Sequence, residues 1–260
     1  MSTFPRDDAA HRVVYAFGLL LLGAVSLAFR DFALQWQPVP AMLPHRASAA
    51  SLNALLLIGC GVALLTHHYR VAAWVATGYL MLWTVLLHGP HIVARPTDVS
   101  LWLGAAEIMT LALGAAALVT IRPATHRSLR YAFATCVGIF GVSHFVYAQF
   151  TASLVPGWIP APLFWAYATG AGHLAASASL FSSVMLCTAT RLLTAMLAII
   201  TLSVQVPRIV ADATGHASWV ALAVSVALTG AAWLLSAMLH ADELHAAAAP
   251  GPLRNDVIPS

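Results

Sequence analysis

Residues 131–190 contain no Arg, Lys, Asp or Glu. A stretch this long cannot lie in one helix, and without charge it cannot form the wetted surface of a soluble domain. Shorter uncharged runs at 13–29, 47–66, 71–87 and 213–241 repeat the pattern. Hydrophobic residues make up 60% of the chain, charged residues 8%, and mean hydropathy is +0.83. A soluble domain of typical composition has about 25% charged residues. A bilayer tolerates only segments that satisfy their own backbone hydrogen bonds, and a crossing needs about 20 apolar residues, so the runs predict transmembrane helices.

The chain also repeats itself. Gly23, Phe32, Pro38 and Pro44 recur as Gly141, Phe150, Pro156 and Pro162, 118 residues later. Pro90, Ile92, Val93, Ala94, Thr97 and Trp102 lie 117 residues before Pro207, Ile209, Val210, Ala211, Thr214 and Trp219, and a single deletion reconciles the two offsets. A repeat this long reads as a duplicated domain. The expected architecture is an all-α membrane protein of eight transmembrane helices, in two parallel-oriented four-helix repeats. The division is an N-terminal segment 1–12, a first repeat 13–121, a second repeat 122–240 and a loose tail 241–260. An even number of spans per repeat sets both halves the same way up, side by side.

All positive charge is arginine. Arg6, Arg12, Arg70, Arg122, Arg127, Arg130, Arg191 and Arg254 fall on the side of the N-terminus, and Arg30, Arg46, Arg95 and Arg208 on the other. This bias predicts both termini on the cytoplasmic side of the membrane. The basic balance is therefore a topology signal and implies no nucleic-acid partner. Arg6 and Arg12 before an apolar run also resemble a cleavable leader, but the first run has a counterpart in the second repeat and reads as part of the fold. The proline-rich segments 36–44 and 155–162 are expected to lie along the outer interface as caps. Cys60, Cys136 and Cys187 form no C-x-x-C pair and read as small buried hydrophobes.

The segment GVSHFVYAQFTASLVPGWIPAPLFWAYATGAGHLAAS, residues 141–177, resembles the DoxX-like family of small bacterial membrane proteins. The resemblance rests on a Gly-x-x-His-Phe helix end, a Pro-rich outer loop and a helix of small residues. LLHGPHIVARPTDVSLW, residues 86–102, is similar to the end of that family's third helix. The resemblance implies a four-helix fold, here doubled, and a link to quinone-dependent oxidoreductase or oxidative-stress complexes.

Ionisable side chains deep in a bilayer are costly and commonly functional. Glu107 is the one carboxylate well inside a predicted span. His144 and His173 lie on predicted spans among small residues, and His88 and His91 are three apart on one helical face broken by Pro90. The repeat pairs these residues with Val224, Ser26, Leu55, Gln205 and Arg208, so the ionisable groups are divided unequally between the halves. The expectation is a polar pocket in the outer leaflet where the groups converge. Glu107 and His144 would move protons, while His88, His91, His144 and His173 would hold a quinone or a haem or metal centre. A soluble or membrane redox partner and the lipid bilayer complete the expected contacts. The alternatives are a cofactor-free scaffold or assembly subunit, in which each histidine only fixes packing, and a small-molecule transporter.

Overall fold

The computed structural model describes residues 8–120 and 123–248. Among them every regular element is helical: α1 (Asp8–Phe29), a 3-10 turn (Leu34–Trp36), α2 (Arg46–Leu64), α3 (Tyr69–Trp83), a π turn (Thr84–His88), α4 (Gly89–Ala94), α5 (Val99–Ala117), α6 (Pro123–Val146), α7 (Ala148–Ser153), α8 (Pro162–Ser182), α9 (Leu186–Ile200), a second π turn (Thr201–Gln205), α10 (Val206–Ala211) and α11 (His216–Ala248). Among the described residues seven helical segments are long and apolar enough to cross a membrane, as in a multi-pass membrane protein. The eighth expected span, α8, has 21 residues but is not among the seven. Its Thr169, His173, Ser177, Ser179 and Ser182 lower its apolar character.

The two π turns lie 117 residues apart, each two residues before a proline. The cause is local. A proline ring clashes with the carbonyl four residues back and removes one hydrogen bond, and widening the helix by one residue relieves both. The helix then continues, so 69–94 and 186–211 are each one span.

The helix ends fall on two faces of the molecule. Arg12 lies over the Tyr69 ring, His126 meets Asp242, and Cys187 meets His240, which gathers the starts of α1, α3, α6 and α9 and the end of α11 on a terminal face. On the opposite, distal face Phe29 stacks on His216, and the Tyr147 hydroxyl reaches the Ser100 amide at 3.1 Å.

Successive contacts run α1, α2, α3, α5, α6, α8, α9, α11 and back to α1, with α5 and α11 also touching across the centre. The closure differs from two self-contained bundles side by side. The first helix of each half packs on the last helix of the other, α1 on α11 and α6 on α5. Lipid is as apolar as the helices, so close packing of small residues must hold them together. A Cβ on Gly18 would come within 2.5 Å of the Ala227 backbone, and one on Gly230 within 2.5 Å of the Tyr15 backbone. Tyr15 is fully buried and donates its hydroxyl to the Leu111 carbonyl of α5 at 2.8 Å, tying α1 to the centre. By contrast α9 is peripheral, with Cys187, Thr190 and Leu193 its buried residues.

The expected loose tail 241–260 is helical as far as Ala248, the last described residue. Helix α11 continues through Ala248, because its alanine-rich end is a strong helix former and His126 holds Asp242 at 2.9 Å. At 1.5 Å per residue its 33 residues measure about 50 Å, longer than a bilayer core, so its last turns stand clear of the apolar layer. Residues 1–7, 121–122 and 249–260, including Arg6, Arg122 and Arg254, lie outside the described residues.

Candidate functional site

The first proline-rich loop does more than cap. Phe32, Ala33, Trp36 and Gln37 are buried, while Gln35 and residues 40–45 are exposed. Arg46 pins the loop by pairing with Asp31 at 2.8 Å and donating to the carbonyls of Val39 and Pro40. Position 46 corresponds to Phe164 in the second half, which lacks this clamp.

The pinned loop brings Trp36 between the first π turn and α5. Its indole N–H donates to Glu107 Oε2 at 2.6 Å, and its backbone carbonyl meets His88 Nε2 at 3.0 Å. One residue therefore joins the carboxylate and the imidazole. His88 is buried, and it fits because Gly104 has no side chain: a Cβ there would lie 3.1 Å from His88 Cε1. Glu107 takes its hydrogen bond from Trp36 rather than from Arg95 or His91. Arg95 instead faces Asp98 at 3.3 Å, and His91 is exposed on α4. Between the spans, hydrogen bonds from the Ser100 hydroxyl and amide, with Arg95 and Tyr147 beside them, hold the half-buried Asp98 carboxyl below the usual carboxylate range.

An amide and phenol network extends the same cluster. Gln37 Nε2 donates to Asn53 Oδ1 at 3.1 Å, the Tyr79 hydroxyl donates to the same oxygen at 2.5 Å, and the Tyr79 and Trp83 rings meet edge to face at 6.0 Å. Two buried donors, Asn53 Nδ2 and Trp83 Nε1, have no acceptor among the described residues. Buried N–H groups are nearly always paired, and leaving one unpaired costs about 1–3 kcal/mol.

The other histidines form a separate pair in the second half. The His144 and His173 rings lie 5.1 Å apart. His144 Nδ1 meets the Thr169 hydroxyl at 2.9 Å and the Ala166 carbonyl at 3.2 Å, while His173 Nδ1 meets the Thr169 carbonyl at 2.8 Å. A glycine again makes room, since a Cβ on Gly170 would sit 2.8 Å from His144 Cβ. Among the described residues no hydrogen bond or ring contact joins this pair to Glu107 or His88. The expected convergence of all five groups therefore resolves into two pairs, Glu107 with His88 in the first half and His144 with His173 in the second, while His91 stands apart, exposed on α4. The reason lies in the packing: α5 does touch α6, but Glu107 is turned toward the Trp36 loop and His144 toward α8.

Metal ligation at these positions lacks support in the donor set. Among the described residues one group of three Cys, His, Asp or Glu side chains lies close enough to share an ion, Cys187, His240 and Glu243, and it lies on the terminal face. The α6–α8 contact beside the His144–His173 pair is close, since a Cβ on Gly141 would lie 3.0 Å from the Gly170 carbonyl oxygen.

The sequence reading missed Trp36, Gln37, Asn53, Tyr79 and Trp83. A signal was present: their counterparts are Leu154, Val155, Ala171, Met196 and Ile200, all apolar, and Asn53 is the lone asparagine of an otherwise apolar run. No family model, curated protein or solved structure matches the chain.

Proposed function

We propose that the chain is a redox-linked protein of the bacterial inner membrane, in which the first half binds a quinone-type ring beside Trp36, Asn53, Tyr79 and Trp83. The observation that carries this reading is the pair of buried N–H donors, Asn53 Nδ2 and Trp83 Nε1, left without acceptors next to a joined carboxylate and imidazole. A quinone offers two carbonyl acceptors on an apolar ring, which matches donors set among aromatic side chains. Oxidation of the quinol releases two protons and two electrons. Glu107 and His88 take the protons, and a soluble or membrane redox partner takes the electrons.

In this reading the molecule has eight spans, α8 included, and two parallel DoxX-like repeats with both termini cytoplasmic. The distribution of arginine supports it further, because two of the four distal arginines, Arg46 and Arg95, face Asp31 and Asp98. The distal face then looks outward, and the His144–His173 pair is the diverged counterpart site of the second half.

Titration of the detergent-purified chain with a short-chain quinone tests the proposal, because Trp36 and Trp83 report binding by fluorescence quenching. Asn53→Leu combined with Trp83→Phe is expected to weaken binding about tenfold or more, from two lost hydrogen bonds. Glu107→Gln is expected to keep binding and lose quinol-driven proton release. No saturable quenching, or equal affinity in the double variant, contradicts the quinone reading.

A cofactor-free assembly subunit is the second reading, favoured by the local satisfaction of His144 and His173 within α6 and α8. Unchanged recovery of co-purifying subunits when His144, His173 and Glu107 are all replaced, together with no quinone binding, selects it.

A further inference from the structure

The terminal face carries a cluster that the quinone reading does not use. Cys187 lies one residue into α9, just after a tight turn in which Ser183 and Met185 take left-handed backbone angles (φ 63° and 53°). His240 and Glu243 are three apart on the projecting end of α11, hence on one face. Cys187 Sγ lies 4.0 Å from His240 Nδ1, and one donor atom from each of the three residues falls within 4.8 Å of the others. The intervening Asp242 points elsewhere, to His126, so the helix end divides its acids between two tasks.

The geometry points to a divalent transition-metal site formed by Cys187, His240 and Glu243, joining α9 to α11 with one coordination position left for water. Thiolate and imidazole donors select zinc and its neighbours over magnesium or calcium. A tetrahedral zinc ion holds sulfur and nitrogen ligands about 3.5 Å apart, so the contraction required is on the order of 1 Å or less, within reach of side-chain rotamers at a helix end. The thiol proton leaves to solvent as the metal binds. The first half cannot build such a site, since positions 70, 123 and 126 hold Arg, Pro and His.

Cobalt(II) titration of the full-length chain in detergent provides the test. The expected result is one ion per chain with a near-ultraviolet thiolate-to-cobalt charge-transfer band, displaced by zinc. Cys187→Ser should abolish the band. His240→Ala and Glu243→Gln, on a helix end outside the core, should each weaken zinc binding by more than about tenfold, the loss that even outer-shell changes cause. In a Cys60→Ala, Cys136→Ala background, zinc should also slow alkylation of Cys187, which needs no folding comparison between variants. Glu107→Gln should change none of these readouts, so failure here is separable from failure of the quinone reading. No charge-transfer band in the unaltered chain, zinc affinity unchanged by Cys187→Ser, or alkylation insensitive to zinc each overturns the site.

Discussion

Gly230→Leu should remove most of the folded protein from the membrane. A Cβ at this position would lie 2.5 Å from the Cα and N of Tyr15, and these are backbone atoms that no rotamer change can move aside. Helices α1 and α11 must then separate, and Gly18 against Ala227 and Tyr15 against Leu111 lose their fit together. Overpacking in a well-filled interior typically costs about 1–3 kcal/mol and sometimes more. Here the whole α1–α11 seam opens, and surrounding lipid gives no hydrophobic drive to close it again, so a loss of about 3 kcal/mol or more is expected. Gly78→Leu is the matched control: nothing lies within 4 Å of a Cβ built there, and its cost should stay within about 0.5 kcal/mol. Reversible unfolding in mixed detergent micelles measures both. Equal behaviour of the two variants would show that the seam does not depend on backbone proximity.

The second large effect belongs to Trp36. Truncation by Trp36→Ala removes a buried ring packed beside α5 along with the donor to Glu107, and large-to-small changes of this kind cost about 3–5 kcal/mol. Trp36→Phe separates the two contributions by keeping most of the ring and losing the N–H. Its expected cost is about 1–3 kcal/mol, the penalty for depriving a half-buried carboxyl of its one hydrogen-bond donor among the described residues. A double-mutant cycle with Glu107→Gln should return a coupling of about 1 kcal/mol, outside the 0.3–0.5 kcal/mol within which independent sites add. Additive costs would mean that the indole is a packing element and that Glu107 is held by something else.

Much of the helical layout was legible because the bilayer imposes it. Uncharged runs have to be helices, and the prolines at 90 and 207 mark where each third helix widens and then carries on. The site was less legible because it depends on a loop. Trp36 sits in a proline-rich segment whose composition reads as interfacial, and only the Arg46 clamp, formed with Asp31 and two carbonyls, folds that segment inward. Comparing the halves showed that the ionisable groups are divided unequally between them but did not give the direction of each side chain, so of five groups expected to meet, four form two separate pairs and His91 stands exposed. The Cys187 cluster shows the same limit. His240 and Glu243 share a helical face by spacing alone, whereas the approach of Cys187 depends on how α9 packs on α11.

Parallel orientation of the two halves is the claim on which the functional reading rests, since it sets both proline-rich loops and both polar clusters toward one side of the membrane. Single cysteines at Met42 and Trp158, both highly exposed, introduced by Met42→Cys and Trp158→Cys into a chain with Cys60, Cys136 and Cys187 replaced, report this directly. With a membrane-impermeant maleimide applied to intact cells, both are expected to label from outside, while His67→Cys in the α2–α3 turn labels only after the membrane is opened. Labelling of residues 42 and 158 from opposite sides would contradict the account.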